Sequence, residues 1–168
     1  TLHQQERLFW CQCSRKDLSA HPVYPGTCSS QRQPVANAAV RFRVLTEQDR
    51  FIDRFQGLQV SAPRDQAGAV VVLRKDGLFA YQLAVVSDDI DQGINQVVRG
   101  IDILESVWWQ RELYRALGAP LPRYGHFPVL LSPNSAQKLS KQNLSPAIQN
   151  ATAGANLLRI LQALGITL

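Results

Sequence analysis

The spacing of hydrophobic and polar residues predicts a hairpin in the first half of the chain. Residues 39–44 (AVRFRV) alternate apolar and basic side chains, the period of two that is typical of a half-buried strand. Residues 69–74 (AVVVLR) form a β-branched run, which predicts another strand. The tight-turn signal Lys-Asp-Gly follows at 75–77, and residues 78–86 are predicted to return as the second strand of a hairpin.

A different period, close to that of a helix, appears after residue 101. It predicts a helix from Ile103 to about Leu117, with a capping box formed by Asp102 and Glu105, whose apolar face carries Ile103, Val107, Tyr114 and Leu117. Gly118 and Pro120 stop this helix, and within it Trp108 and Trp109 are expected to be core and helix-edge packing residues. The other predicted elements are the end of a helix over 1–10 with Leu2, Leu8 and Phe9 as apolar contacts, a loop over 11–33, a short buried strand over 95–99, an apolar strand over 127–131, a turn over 132–135 and a helix over 154–164.

Composition places the chain among ordinary globular proteins. Its 168 residues suffice for one domain with a real core, and 45% are hydrophobic while 18% are charged. The net charge of +5 suits an anionic partner such as RNA or ATP, although many proteins share such an excess. The sequence has neither a secretory signal nor an apolar run of the ~20 residues that a membrane span needs, so we expect no membrane association.

Three cysteines predict a metal site rather than a disulfide framework. Cys11 and Cys13 lie on one side of an extended segment, and Cys28 can supply a third thiolate. Such cysteine usage favours a reduced compartment, and we expect the cytoplasm. Chemistry alone favours His21 over Tyr24 as the fourth ligand, because a tyrosine must lose a proton of pKa about 10. Three unrelated buried thiols are the alternative.

Residues 138–142 (KLSKQ) form a loop that could bind phosphate. Lysine is a mobile point charge on a flexible stem, and neutralising phosphate is the main work of nucleotidyl transfer. Taken alone, a turn rich in Lys and Ser is also typical of a solvated surface loop.

The motifs before this loop resemble one enzyme family. Their order over residues 76–142 resembles the glutamyl/glutaminyl branch of class I aminoacyl-tRNA synthetases. Residues 138–141 resemble its KMSKS loop, with Leu139 at the Met position and Gln142 at the usual Ser or Arg position. The other matching segments are 79–86 (FAYQLAVV), 87–89 (SDD), Gly93, 97–102 (VVRGID), Gln110, 113–114 (LY), 116–118 (ALG), Pro122, Tyr124 and 126–128 (HFP).

Residues near the N-terminus of the chain indicate which branch of this family it resembles. Cys11, Cys13, Tyr24 and Cys28 resemble the zinc site of the glutamyl-Q tRNA(Asp) synthetases, a branch without an anticodon-binding domain. This resemblance selects Tyr24 as the fourth ligand and implies one structural Zn²⁺ per chain. The short stretch after Gln142, with a single predicted helix, agrees with that branch.

The resemblance implies an α/β fold, the second half of a Rossmann-type catalytic domain with an inserted zinc-binding and β-hairpin subdomain. Residues 1–75 would form the zinc-binding and connecting subdomain, 76–142 the second half of the catalytic core, and 143–168 a helical tail. The sequence contains neither Met nor the His-x-Gly-His motif of this class. We therefore expect the first half of the fold to precede Thr1 in a longer enzyme, and this fragment alone to be inactive.

The activity implied is ATP-dependent activation of glutamate and its transfer to the queuosine base of tRNA(Asp), with Mg²⁺ on the phosphates and a monomeric enzyme. By resemblance, Lys138 and Lys141 are catalytic and bind ATP with Ser140, whereas Tyr81 and Arg99, on two predicted strands, contact glutamate. The alternatives are a core role for Tyr81, and for Arg99 a salt bridge with Asp88, Asp89 or Asp102. His126 is expected to be a packed, hydrogen-bonded side chain without a catalytic role. For the whole chain, the alternatives are a catalytic fragment of an ordinary glutamyl-tRNA synthetase and a non-catalytic, zinc-stabilised RNA-binding module.

Overall fold

Two β-sheets and four α-helices occupy the part of the chain that a computed structural model describes, residues 2–132, 137–140, 145, 147 and 150–166. The strands are β1 Leu8–Cys11, β2 Ala39–Arg43, β3 Asp49–Asp53, β4 Gly57–Ser61, β5 Ala69–Leu73, β6 Gln96–Gly100 and β7 Arg123–Phe127. The helices are α1 Pro63–Ala67, α2 Tyr81–Asp91, α3 Ser106–Ala116 and α4 Ala153–Ala163, with 3-10 turns at Ile101–Ile103 and Asn150–Thr152. The expectation of a mixed α/β chain is confirmed.

The first sheet is antiparallel, in the order β1-β2-β5, and its two faces have different partners. Since side chains alternate along a strand, even-numbered residues such as Phe42 and Val72 point to one face. They form the main core with Val86 of α2 and Leu113 of α3. Odd-numbered residues face the cysteine loop, where Phe9, Cys11 and Ala69 pack against Cys13, Tyr24 and Cys28. The sheet thus separates the helical core from the thiols.

The second sheet has the order β4-β3-β7-β6 and brings distant parts of the chain together. Strands β6 and β7 run parallel with Arg99 opposite His126, and β3 joins β7 in parallel through the pair Asp53 and Tyr124. The β3–β4 hairpin was not among the elements predicted from sequence. Strand β6 matches the strand predicted over 95–99, but Val98 is 58% exposed, so that strand is not buried.

Two predictions near the first sheet are wrong. Residues 8–11 form a strand instead of the end of a helix, because they pair with β2 over its whole length. Leu2 and Phe9 are nevertheless buried, as expected of apolar contacts. The predicted strand over 78–86 is helix α2 from Tyr81 onward. Only Phe79 pairs with Leu73 after the turn.

Helix α2 forms because its core-facing residues recur at helical spacing, a pattern that is hard to see within the nearly continuous apolar run over 78–86. Leu83, Val86 and Ile90 recur three and four residues apart, and all three pack against the main core. Phe79, just before the helix, is 68% exposed, so the segment has no buried alternating face that would hold it as a strand. The turn at 75–77 forms as predicted, with Gly77 at φ 82°.

Helix α3 differs from its prediction at the start and agrees at the end. The predicted capping box is wrong: α3 begins at Ser106, its N-cap Glu105 makes no side-chain cap, and Asp102 binds Lys138 instead. At the other end the chain leaves the helix at Gly118, with φ 73°, as predicted. Val107 and Trp108 are buried, which confirms their core placement.

The last predicted strand was placed too late in the chain. Strand β7 covers Arg123–Phe127, before the apolar run 127–131, because Tyr124, Gly125 and His126 are the residues buried against β6 and β3. The final helix matches its prediction within one residue. No helix in the described part of the chain is long and apolar enough to cross a membrane.

Candidate functional site

Three thiols meet where β1 leaves the first sheet. Cys11 ends β1, Cys13 lies just beyond it, and Cys28 comes from the long loop that precedes β2. Their Sγ atoms all lie within 4.8 Å of one another, and those of Cys13 and Cys28 are 3.6 Å apart. Thiolates on one tetrahedral zinc are expected about 3.8 Å apart, from a Zn–S bond of about 2.3 Å. The three cysteines therefore fit around a single ion.

Tyr24 is the fourth polar side chain at this cluster. Its hydroxyl lies 3.5 Å from Cys11 Sγ and accepts the backbone N–H of Cys28 at 2.8 Å. Its ring is fixed between Phe9, with 5.6 Å between centroids, and the guanidinium of Arg41 at 4.3 Å. His21, the alternative that ligand chemistry favoured, is exposed and does not join the metal-capable group found among the described residues.

Cys11 and Cys13 differ in how readily they ionise within the cluster. Burial opposes ionisation of Cys11, but hydrogen bonds from Tyr24, Arg41 and Cys13 outweigh it and lower the pKa of Cys11 to about 7. Burial, together with Cys28 and Cys11 nearby, raises the pKa of Cys13 to about 11. Burial likewise raises the pKa of Tyr24 above its ordinary value. A bound dication would oppose the effect of burial, because its charge deprotonates coordinating thiols.

A second polar cluster surrounds Arg99 on β6. The Arg99 Nε–H donates to Nε2 of His126 at 3.1 Å, and Nη2 donates to Gln110 Oε1 at 2.9 Å. Gln110 Nε2 donates to Gln82 Oε1 at 2.7 Å, and Gln82 Nε2 donates to Ser106 Oγ at 3.1 Å. Four elements, β6, β7, α3 and α2, thus meet at one arginine.

Arg99 has no carboxylate partner among the described residues. Two of the acids that offered an alternative role are engaged elsewhere: Asp89 accepts the Tyr114 hydroxyl at 3.1 Å, and Asp102 pairs with Lys138 at 2.7 Å. The predicted alternative, a structural salt bridge of Arg99 with one of these acids, is therefore wrong for this part of the chain. A half-buried guanidinium without a carboxylate partner can pair with an anionic ligand.

Behind the arginine lies a fully buried pair. His126 Nδ1 is 2.6 Å from Asp53 Oδ2, and neither side chain is exposed to solvent. Although burial opposes ionisation, hydrogen bonds from His126 and from the backbone N–H groups of Phe55 and Gln56 hold the pKa of Asp53 below its usual value. His126 is packed and hydrogen-bonded, as its sequence context predicted.

Tyr81 lies at the first position of α2, and not on a strand as predicted. Its side chain is 52% exposed, so the alternative of a plain core residue is wrong. The next residue, Gln82, belongs to the polar chain that ends at Arg99. Tyr81 is therefore next in sequence to a residue of the Arg99 cluster.

The lysine loop is only partly described. Lys138 pairs with Asp102 across an exposed surface, where the two side chains are 48% and 33% exposed. The Ser140 N–H donates to Ser145 Oγ at 3.0 Å. Lys141 and Gln142, like most of the turn predicted over 132–135, lie outside the described residues.

Sequence reasoning missed part of the Arg99 cluster. Gln110 entered only as a motif position, His126 was expected to be packed and hydrogen-bonded but was not linked to Arg99, and Asp53 did not enter at all. One signal for Asp53 was present, since an aspartate two to four residues before Phe55 and Gly57 is typical of a side chain that caps a turn. That pattern indicates a turn, but nothing in it indicates a partner 73 residues away.

Residues 11–166 match the family model described as tRNA synthetases class I (E and Q), catalytic domain. The chain belongs to this family. Its members are ligases, so the resemblance drawn from the sequence motifs is confirmed, as is the enzyme class it implied.

Two relatives illustrate the similarity. The chain is 45% identical over 165 residues to a glutamyl-Q tRNA(Asp) synthetase of Ectopseudomonas mendocina (strain ymp), covering 98% of this chain and 56% of that protein. It is 42% identical over 161 residues to the enzyme of that name from Photobacterium profundum, covering 95% of this chain and 51% of the relative. The chain spans about half the length of these curated relatives.

A solved structure shares the fold. The glutamate tRNA ligase from Elizabethkingia meningosepticum, in complex with its amino acid, superposes with a TM-score of 0.64 at 20% identity. The match covers 83% of this chain and 34% of that one. At this identity the likeness establishes the fold of a glutamate–tRNA ligase catalytic domain for this chain.

Proposed function

We propose that the polypeptide carrying this chain activates glutamate with ATP and transfers it to the queuosine base of tRNA(Asp). Relatives named glutamyl-Q tRNA(Asp) synthetase support this activity. The observation that carries it is Arg99, which is half-buried, held by His126 and Gln110, and without a carboxylate partner among the described residues. A guanidinium so placed suits a ligand carboxylate, and Tyr81 at the adjacent start of α2 would contact the same glutamate.

The reaction needs no protein nucleophile. A glutamate carboxylate oxygen attacks the α-phosphorus of ATP, and the bond to pyrophosphate breaks. The acyl carbon of the adenylate is then attacked by a hydroxyl of the acceptor base, and AMP leaves. The protein contributes positioning and charge stabilisation, while Mg²⁺ would neutralise phosphate charge when bound.

The lysine loop would supply positive charge at the phosphates. We assign Lys141 and Lys138 as the catalytic lysines and Ser140 as a further ATP contact. The Asp102 pair does not prevent this for Lys138, because exposed ion pairs contribute at most about 1 kcal/mol and exchange readily.

The thiol cluster would hold a structural zinc ion through Cys11, Cys13, Cys28 and Tyr24. The proximity of the three sulfurs and the Tyr24 hydroxyl supports this ligand set. With four protein ligands the ion would bind no substrate, and its role would be to fix the loop against the first sheet.

These sites suggest a division of the chain into three parts. Residues 1–75 form the zinc-binding and connecting part, 76–142 the second half of the catalytic core, and 143–168 a helical tail. We further propose a monomeric, cytoplasmic enzyme, in keeping with its free thiols.

Glutamate-dependent exchange of labelled pyrophosphate into ATP tests the activation step on the full-length gene product. Exchange should occur with glutamate, without tRNA, and fall to background when aspartate replaces glutamate. No exchange with glutamate in the absence of tRNA would contradict the proposal.

A further inference from the structure

We propose that His126 is a positioning residue for Arg99, held by Asp53 as the neutral imidazole that carries its proton on Nδ1. This inference deepens the proposed function and rests on it, because Arg99 is taken as the glutamate contact. His126 itself would touch no substrate. It would set the plane and direction of the guanidinium from behind.

The Asp53 carboxylate determines which ring nitrogen carries the proton. Its Oδ1 accepts the backbone N–H groups of Phe55, Gln56 and His126, at 2.9, 3.0 and 3.0 Å. Its Oδ2 is left for His126 Nδ1 at 2.6 Å. An ionised carboxylate only accepts hydrogen bonds, so Nδ1 must donate. With both side chains fully buried, no solvent competes for this bond.

Arg99 determines the state of the other ring nitrogen. A guanidinium keeps its protons in proteins, so Nε–H is always a donor. It points at His126 Nε2 from 3.1 Å, and Nε2 must therefore be the bare, accepting nitrogen. A doubly protonated ring would set donor against donor beside a cation. Both neighbours thus select the same tautomer.

The remaining contacts leave one amino group of Arg99 for a ligand. Nη2 donates to Gln110 Oε1 at 2.9 Å and to the backbone carbonyl of Ile103 at 3.4 Å, and Gln110 is itself fixed by Gln82. Nη1 has no hydrogen-bond partner among the described residues. The guanidinium is therefore held along its inner edge while Nη1 stays available. Gln82 lies in the first turn of α2, so these hydrogen bonds also tie Arg99 to the helix that begins with Tyr81.

Asp53→Asn is the sharpest test, because it changes the tautomer without changing the shape. Three backbone donors keep the amide oxygen at the Oδ1 position, so the new NH₂ group faces Nδ1. The imidazole proton must then move to Nε2, where it opposes the Arg99 Nε–H. We expect the KM for glutamate in pyrophosphate exchange to rise about 10-fold or more, the scale of one lost charge-assisted hydrogen bond. The kcat should fall less than KM rises.

The experiment uses the full-length gene product with two further variants at position 126 and one control. His126→Gln places an amide oxygen within reach of Arg99 and should keep a KM closer to wild type than His126→Leu, which supplies no acceptor. Asp91→Asn, at the exposed end of α2, should leave KM unchanged. Imidazole ¹⁵N NMR should show Nδ1 protonated and Nε2 bare in the wild type, and the reverse in Asp53→Asn.

The outcomes separate this inference from the proposed function. A wild-type protein without glutamate-dependent exchange would refute the proposed function, and with it any glutamate role of Arg99. A wild-type protein that is active, with Asp53→Asn and His126→Leu at wild-type KM, would overturn the positioning role alone. A wild-type Nε2 that carries the proton would overturn it whatever the kinetics, and this measurement needs no variant to fold.

Discussion

Replacing Asp49 by Asn should destabilise the protein by removing the buried negative charge that pairs with both Arg111 and Arg115. Asp49 Oδ2 accepts Arg111 Nε at 2.7 Å, Oδ1 accepts Arg111 Nη2 at 3.0 Å, and Arg115 Nη2 lies 2.8 Å from Oδ1. The Asp49 and Arg111 side chains are only 6% and 8% exposed. This pair joins β3 to α3, the elements that carry Asp53 and Gln110, so it also holds the Arg99 cluster together.

The magnitude follows from the ionisation of Asp49. Burial opposes it, but the hydrogen bonds and charges of Arg111 and Arg115 prevail and lower its pKa to about 2. Compared with an ordinary carboxyl near 3.9, this corresponds to about 2 kcal/mol once solvent screening at the partly exposed Arg115 is allowed for. Asn also leaves Arg111 buried without a counter-charge, so we expect a total loss of about 3 kcal/mol at pH 7.

The pH dependence has a definite sign. Because the folded pKa of Asp49 is depressed, its contribution is fully present above the unfolded value and is lost as the pH falls toward 2. The wild type should therefore lose about 2 kcal/mol more than Asp49→Asn between about pH 5 and pH 2.

Urea unfolding followed by tryptophan fluorescence measures both effects, since Trp108 packs on Phe51 of β3 with 5.0 Å between ring centroids. Asp65→Asn is the matched control. Asp65 is 66% exposed beside Arg64, and its loss should cost less than about 0.5 kcal/mol. Equal stability of the two variants at pH 7 would refute the reasoning.

Two further predictions concern the proposed zinc site and the lysine loop. Protein purified without chelator should contain about one zinc per chain, and Cys13→Ser should lower that content and loosen the loop between Cys11 and Cys28 while leaving the first sheet folded; metal-free wild-type protein by elemental analysis would refute the site. Lys141→Ala should slow glutamate-dependent pyrophosphate exchange by roughly 10²-fold, the scale of one lost transition-state charge contact, whereas Lys16→Ala on an exposed turn should not. Normal exchange by Lys141→Ala would remove the catalytic assignment.

The sequence predicted those elements well whose hydrophobic residues follow a single period, either that of a strand or that of a helix. β2, β5, β6, the end of α3 and helix α4 follow from alternation, turn residues and helix stops. It failed at α2, because an almost continuous apolar run satisfies a strand and a helix pattern alike, and tertiary packing of Val86 decided. It failed at β7 because Gly125 and His126 do not resemble strand residues until their partners are known.

One part of the candidate site could be predicted from the sequence and another part could not. The cysteine group could be predicted because its members lie close in sequence and share one chemistry. The partners of Arg99 could not, since Asp53 and His126 are 73 residues apart and meet only through the parallel pairing of β3 with β7. Long-range sheet pairing leaves no local signal in a single sequence.

The most direct test of the central claim is the identity of the acceptor. The full-length gene product is supplied with ATP, labelled glutamate and tRNA(Asp) either carrying or lacking queuosine, and the product is digested with a guanine-specific nuclease at mildly acidic pH. Label should appear only with the queuosine form, on the anticodon-loop fragment. Equal labelling of both forms, label on the 3′-terminal fragment, or labelling of tRNA(Glu) instead would contradict the account and indicate an ordinary glutamyl-tRNA synthetase.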